Sequence, residues 1–275
     1  MTDYRSGTAG LDKRPAFLID LDGTMYAGHA PIPHAAAFIK RLRELKLPFL
    51  FVTNNSSRTP EAVAGHLRQH GIEAEPREVV TSSQAAARYA AERKPGGRVY
   101  AIGEEGLRAA LTEAGLELVD EDERPDFVVQ GIDREFSYAK LERAVGFIAA
   151  GAEYVLTNPD RLLPADGKLL PGAGTIAASI REAMQIQPLV IGKPYEPIMR
   201  FALERLGTAE NVWAVGDNPL TDIGAGKAVG LRTALVLTGI ATPDNAERLL
   251  GIEGTPQPDI VCADLADLLD RLGLS

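Results

Sequence analysis

Short apolar runs alternate with stretches of helical spacing from Ala16 almost to the end of the chain, which predicts a parallel sheet covered by helices. The run Ala16-Phe17-Leu18-Ile19 is too short for a helix and meets a glycine turn at once, so it reads as a buried strand. Positions 48–53 predict a second strand, and Phe38, Ile39, Leu42 and Leu45 recur at helical spacing between the two, as a crossover helix requires. Thr59-Pro60-Glu61 has the form of a cap with proline at the first helical position, and Gly71 suits the stop. Positions 79–81 and 83–93 complete a third strand and helix.

Lys94-Pro95-Gly96-Gly97 breaks this series. A second alternating series follows, with apolar or helical runs at 99–102, 107–114, 127–129, 141–150 and 154–157, a loop at 158–174 and a helix at 175–184. Leu189-Val190-Ile191 reads as the return to the first pattern, which strands at 212–215, 233–237 and 260–261 and a last helix then complete. The expected organisation is a core from 1–95 and 188–275, interrupted by an inserted unit at 96–187 with its own small core. No repeat or low-complexity tract interrupts the pattern.

Four of the strand-like runs end in residues suited to phosphate or metal. Asp20-Leu21-Asp22-Gly23-Thr24 leaves the first strand, so two carboxylates emerge at the carboxyl end, where open parallel sheets hold their ligands. Two acids so spaced suit phosphoryl transfer through an acyl-phosphate, one attacking and the other serving as acid and then base. Thr53-Asn54-Asn55-Ser56 ends the second strand with a hydroxyl, amides and a turn rich in N–H groups, which binds phosphate oxygens without net charge. Lys193, after Leu189-Val190-Ile191-Gly192, can neutralise a phosphate and hold an ionised nucleophile. Gly216-Asp217-Asn218-Pro219-Leu220-Thr221-Asp222 follows the run at 212–215 and supplies two more acids. Each segment alone is also an ordinary turn; four in this order at strand ends are not.

Composition sharpens this picture by exclusion. Apolar residues at 45% and charged residues at 24% describe an ordinary folded protein of 275 residues. A formal net charge of −9 disfavours a nucleic-acid backbone as partner, so positive charge for an anionic substrate must be local, from a metal or a single lysine. The lone Cys262 precludes an intramolecular disulfide and is expected buried and inert. Residues 1–14 are polar and lack a signal-peptide core, and no apolar run reaches membrane-spanning length, so a cytoplasmic protein without a membrane partner is expected.

Taken together, Asp20-Leu21-Asp22-Gly23-Thr24, Thr53-Asn54-Asn55, Lys193 and Gly216-Asp217 with Asp222 match in order the four signatures of the haloacid dehalogenase superfamily of phosphatases, which the chain resembles. Gly103-Glu104-Glu105-Gly106-Leu107, Asp126-Phe127-Val128-Val129, Thr157-Asn158-Pro159-Asp160 and Pro171-Gly172-Ala173-Gly174 resemble its NagD-like branch, in which the insertion is a C2 cap. That resemblance implies an α/β fold with a Rossmann-like parallel core and an inserted α/β cap. It also implies a phosphatase of small phosphorylated metabolites, in a branch acting on sugar phosphates, nucleotides, p-nitrophenyl phosphate, phosphoglycolate and pyridoxal phosphate. By the same resemblance Asp20 is the nucleophile and Asp22 the acid and base. Mg²⁺ is held by Asp20, the Asp22 carbonyl and Asp217, with Asp222 in support. Thr53, Asn54, Asn55 and Lys193 bind the phosphoryl group, Asn158 and Asp160 meet the leaving group, and a homodimer through the cap is plausible. A non-catalytic binding protein on the same fold and a phosphomutase are the alternatives.

Other motifs do not hold up. Gly224-Ala225-Gly226-Lys227 lacks the hydroxyl of a phosphate loop, having Ala228 there, and Gly172-Ala173-Gly174 does not follow a strand. His29, His34, His66 and His70 show no metal spacing, and His66 and His70 are expected to face solvent. Tyr89, Tyr100 and Trp213 read as packing.

Overall fold

The computed structural model describes residues 14–120, 124–165, 168–208 and 210–275. The polar N-terminal tail, except Arg14, lies outside them. Six parallel strands form the main sheet, in the order Ile260–Cys262, Arg232–Val236, Val212–Gly216, Ala16–Ile19, Phe49–Thr53, Val79–Thr81. The first strand is central, and the chain extends outward from it in both directions. It is therefore the point where the winding reverses and the loops on either side part to leave a crevice.

Strand alternation sorts the side chains onto two faces. Phe17 and Ile19 point into a cluster with Phe38, Ile39, Leu42, Phe51, Val63 and Leu67, whereas Ala16 and Leu18 point into one with Leu50, Val52, Val80 and Ile198. Helices Ala35–Glu44, Pro60–Gln69, Ser82–Arg93 and Glu196–Leu206 cover these faces. Thr59 caps the second of them by accepting the Ala62 N–H, with Pro60 at its first position, as the sequence predicts.

The inserted α/β unit builds a second, parallel sheet in the order Leu189–Val190, Glu153–Leu156, Phe127–Gln130, Arg98–Ile102, Glu117–Leu118. Its core is only half its own. Tyr100, Ile102, Val128 and Tyr154 pack with Ala144, Ile148 and Ile180 on one face, but Val99, Phe127, Val129 and Val155 join the cluster that contains Leu18 and Leu50. Two expectations need correction. Leu189–Val190 pairs with Glu153–Leu156 and so closes the second sheet, and the chain returns to the main one only beyond it. The stretch 158–174 is not only loop: Leu162–Ala165 and Lys168–Pro171 pair as an antiparallel hairpin, where Pro164 and Pro171 are tolerated because a two-stranded ribbon leaves one edge unpaired. Cys262 is buried as expected, and burial pushes its thiol up to about 12. Among the described residues no helix is long and apolar enough to cross a membrane.

The insertion meets the core by close backbone approach. Gly106, at the start of helix Glu105–Glu113, donates its N–H to the Ser57 carbonyl at 3.0 Å, and a Cβ there would lie 2.5 Å from the Arg58 carbonyl oxygen. Replacing Gly106 by Val should therefore lift the helix off the core and destabilise the protein by about 1–3 kcal/mol, since backbone cannot yield as a side chain can. A lowered urea midpoint would show it, and an unchanged midpoint would contradict this docking.

Candidate active site

The crevice above the central strand gathers residues from five segments. Asp20 leaves Ala16–Ile19 with its N–H on the Val215 carbonyl at 2.8 Å, so it begins in line with the strand. The chain then folds tightly: the Leu21 carbonyl accepts the Thr24 and Met25 N–H groups, and Gly23 takes a φ of 85°. Only glycine serves at 23, because a Cβ would lie 2.3 Å from Asp217 Oδ2 as well as demand a left-handed backbone. Asp217 follows Val212–Gly216 on the neighbouring strand and accepts the Ile240 N–H.

Asp222 comes back under the sheet through a π-helical turn, Pro219–Ile223, whose entry is capped by Asn218 accepting the Leu220 N–H. One Asp222 oxygen accepts the Asn218 N–H at 3.0 Å and the other accepts Lys193 Nζ at 2.8 Å. Gly216 lets the loop close, since a Cβ there would lie 2.3 Å from the Asp222 Cβ. Lys193 Nζ also donates to Asp20 Oδ1 and to the Val52 carbonyl at 3.1 Å, so each ammonium hydrogen has an acceptor.

Charge in this space is unbalanced. Burial by itself would lower the Lys193 ammonium, yet Asp20 and Asp222 hold it well above the ordinary lysine range. Burial raises the Asp20 carboxyl well above its ordinary value, and Asp222 and Asp217 add to this against the pull of Lys193. Burial, then Asp222, pushes Asp217 up to about 7, against the Ile240 N–H and Lys193. Asp22 is open to solvent within the cleft, but the protein around it displaces enough water to raise its carboxyl, offset by Lys193 and Arg58. Asp20, Asp217 and Asp222 each offer an oxygen, all within 4.8 Å of one another. A set of hard oxygen donors with surplus negative charge fits a divalent cation of the Mg²⁺ or Ca²⁺ type. The Asp22 carbonyl accepts no hydrogen bond among the described residues, which leaves it open to the same ion.

The loop after Phe49–Thr53 is a junction. Thr53 Oγ1 accepts the Asn55 N–H at 3.1 Å. Asn54 Oδ1 accepts the Lys193 N–H at 2.8 Å while its Nδ2 donates to the Lys193 carbonyl at 3.0 Å and to Asp160 at 3.2 Å. Asn55 Oδ1 is occupied in its own turn, accepting N–H groups of Ser57 and Arg58 and the Ser57 hydroxyl. Asn158 is buried, donates to the Asn54 carbonyl at 2.9 Å and accepts the Asp160 N–H, so its carboxamide is committed to holding the insertion on the core. Asp160 sits at the same junction, its carboxyl raised by burial against the Asn54 hydrogen bond. The structure thus brings Asp20, Asp22, Thr53, Asn54, Lys193, Asp217, Asp222 and Asp160 to one crevice, with Asn55 and Asn158 engaged in shaping it.

Two features escape sequence reasoning. His66 and His70, expected on the solvent side, are half-buried with ring centroids 4.7 and 5.5 Å from Tyr26, because the hairpin Tyr26–Ala27/Ala30–Pro31 folds back over helix Pro60–Gln69. Burial, with Arg58 and the other histidines nearby, lowers His66. Arg58 follows the Thr-Asn-Asn-Ser turn at no diagnostic spacing, and only the fold lets its charge act on Asp22 and Tyr26.

The comparisons with known proteins agree with this arrangement. Residues 17–117 match the haloacid dehalogenase-like hydrolase model and residues 190–268 the related HAD-hydrolase-like model. An acid sugar phosphatase of Staphylococcus aureus is 46% identical over 233 residues, 84% of this chain and 90% of that protein. A p-nitrophenyl phosphatase from Archaeoglobus fulgidus superposes with a TM-score of 0.88 at 38% identity, over 94% of this chain and 99% of its own. A glycerol phosphate phosphatase from Mycobacterium tuberculosis, solved in complex with magnesium, superposes with a TM-score of 0.85 at 36% identity, over 94% of this chain and 77% of its own. The chain belongs to the haloacid dehalogenase-like hydrolases, as a phosphoric monoester hydrolase of the NagD-like branch.

The raised Asp217 carboxyl yields a prediction for the metal-free protein. It keeps its proton in the folded chain after the unfolded chain has lost it, so its stabilising contribution is full below about pH 4 and is lost as pH climbs to about 7. Replacing Asp217 by Asn, in the presence of a chelator, should therefore gain stability relative to wild type by about 1–3 kcal/mol between pH 5 and pH 8. A difference in urea-unfolding free energy that stays constant across this range would contradict the raised Asp217 carboxyl.

Proposed function

We propose that this protein is a Mg²⁺-dependent hydrolase of small phosphomonoesters, of the sugar-phosphate and glycerol-phosphate kind, that works through an aspartyl-phosphate on Asp20. The observation that carries this reading is the buried Lys193 ammonium between Asp20 and Asp222, with Asp217 beside them and Asp22 at the open side. The names of the similar phosphatases support the substrate class.

Asp20 attacks phosphorus, the ester P–O bond breaks, and Asp22, whose raised carboxyl suits an acid, protonates the departing alkoxide. Asp22, now ionised, takes a proton from water as that water attacks the phosphoenzyme. The P–O bond to Asp20 then breaks, inorganic phosphate leaves and both carboxyls return to their first states. Lys193 keeps Asp20 aligned and offsets charge on the phosphoryl oxygens, to which Thr53 and Asn54 are adjacent. Asp20, Asp217 and the Asp22 carbonyl would hold Mg²⁺, whose charge neutralises the phosphoryl oxygens when bound. Both Asp222 oxygens are hydrogen-bonded, which suits the supporting role. Residues 96–187, extended by the edge strand Leu189–Val190, act as the cap over a core formed by 1–95 and the rest of 188–275, and Asp160 faces the leaving group. The exposed Leu162, Leu169 and Leu170 on the cap hairpin suit pairing of two copies, and the enzyme acts in the cytoplasm.

Purified protein with Mg²⁺ should release phosphate from p-nitrophenyl phosphate, and chelation should abolish this until Mg²⁺ is restored. Asp20→Asn should lower the rate by about a thousandfold or more, and Asp22→Asn by about a hundredfold or more. Equal rates for wild type and Asp20→Asn would sink the covalent reading, and transfer to a sugar without net phosphate release would favour a mutase.

A further inference from the structure

Strand Arg232–Val236 lies beside Val212–Gly216 in the main sheet, so the loop that leaves it, Leu237-Thr238-Gly239-Ile240-Ala241, opens on the same edge as the crevice. This loop grips Asp217 twice: the Ile240 N–H meets its Oδ2 atom, and the Ala241 N–H meets its backbone carbonyl at 3.0 Å. Asn245 keeps the grip in shape, accepting the Thr242 N–H at 2.8 Å and donating to the Ile240 carbonyl at 2.9 Å. Gly239 passes so close to the first strand's loop that a Cβ on it would lie 2.6 Å from the Gly23 Cα.

Thr238 makes the second connection. Its Oγ1 lies 2.7 Å from the Gly23 carbonyl, a contact across 215 positions of sequence. A carbonyl can only accept, so the hydroxyl is the donor. Gly23 is then pinned at both ends, because its own N–H donates to the Tyr26 carbonyl at 2.7 Å. In a trans peptide the N–H of one residue points away from the carbonyl of the residue before it. Holding Gly23 therefore holds the direction of the Asp22 carbonyl. Glycine at a φ of 85° has the widest backbone freedom and no side chain to pack, so hydrogen bonds must set its conformation. One short loop thus fastens Asp217 by two N–H groups and the Asp22–Gly23 peptide by one hydroxyl.

We infer that Thr238 is a positioning residue: by holding Gly23 it sets the orientation of the Asp22 carbonyl relative to Asp217, and so fixes how tightly the site binds Mg²⁺. This rests on the reading above in which Asp20, Asp217 and the Asp22 carbonyl hold the ion.

Isothermal titration calorimetry of Mg²⁺ into the substrate-free protein tests this in wild type, Thr238→Val, Thr238→Ala, Thr238→Ser and Thr233→Val. Thr238→Val keeps the volume and loses the donor, Thr238→Ala reports the same loss should valine prevent folding, and Thr238→Ser keeps the donor. Thr233→Val is the comparison for stability alone: Thr233 is buried near the opposite end of the same strand, and its hydroxyl bonds Asp259 at 2.9 Å. The Mg²⁺ dissociation constant should rise by about tenfold to a hundredfold in Thr238→Val and Thr238→Ala, and by about threefold or less in Thr238→Ser and Thr233→Val. The Mg²⁺ concentration that half-saturates hydrolysis of p-nitrophenyl phosphate should move in parallel. A dissociation constant unchanged in Thr238→Val and Thr238→Ala, raised as much by Thr233→Val, or not restored by Thr238→Ser would overturn the inference and leave the phosphatase reading intact. A wild type that binds no Mg²⁺ would instead remove the metal site of that reading, and the inference with it.

Discussion

A single buried ammonium organises this protein. Lys193 lies almost wholly out of solvent and donates to Asp20, Asp222 and the Val52 carbonyl, one acceptor from each of three neighbouring strands or the loops that follow them. A charge so placed is tolerated only when every donor is satisfied, and deleting one partner of such a set costs about 3–5 kcal/mol. The carboxyl ends of three parallel strands are therefore tied to one point. Yet a single positive charge cannot balance Asp20, Asp217 and Asp222 together with Asp22, so the crevice stays electrostatically incomplete and receptive to cations. Binding and reactivity arise from the same imbalance: a site neutral by itself would have no use for metal, and its acids would keep ordinary proton affinities.

The same lysine fastens the insertion. Its N–H and carbonyl form a two-point contact with the Asn54 carboxamide, and Asn54 in turn meets Asn158 and Asp160 of the inserted unit. Ser56 Oγ accepts the Ile132 N–H at 3.0 Å a few residues on, and Gly131 passes so close that a Cβ would meet that hydroxyl at 2.6 Å. The loop that follows Phe49–Thr53 in the core is thereby also the seat of the insertion. Because the apolar cluster beneath it runs unbroken from Leu18 to Val129 and Val155, the two sheets share packing as well as polar contacts. Core and insertion are consequently joined by hydrogen bonds and apolar packing at the loop that follows Phe49–Thr53.

Much of this was legible because hydrophobic spacing and strand-end chemistry are local properties. Ala16–Ile19, Phe49–Thr53 and Val212–Gly216 appear where buried runs demand strands, and their polar ends meet because parallel strands in one layer present all their carboxyl ends on the same edge. Departures occur where a partner distant in sequence decides. Leu189–Val190 has two residues and no preference of its own; pairing with Glu153–Leu156 assigns it to the second sheet. His66 and His70 look solvent-facing until the hairpin at Tyr26 covers them. Asn55 Oδ1 is held by its own turn, whereas Asn158 meets the Asn54 carbonyl, a contact across 104 positions that spacing does not announce.

By itself, then, the sequence determined the class of fold, the family and the identity of the acids and the lysine, since each is written in a run and the few residues that end it. Tertiary structure alone decided how those charges share space. It set the proton affinities of Asp20 and Asp217 through burial and through neighbours far off along the chain. It bound the insertion to the loop after Phe49–Thr53 through Asn54. Spacing along a chain fixes which groups exist; only folding fixes the distances and the dielectric between them, and electrostatic energy depends on both.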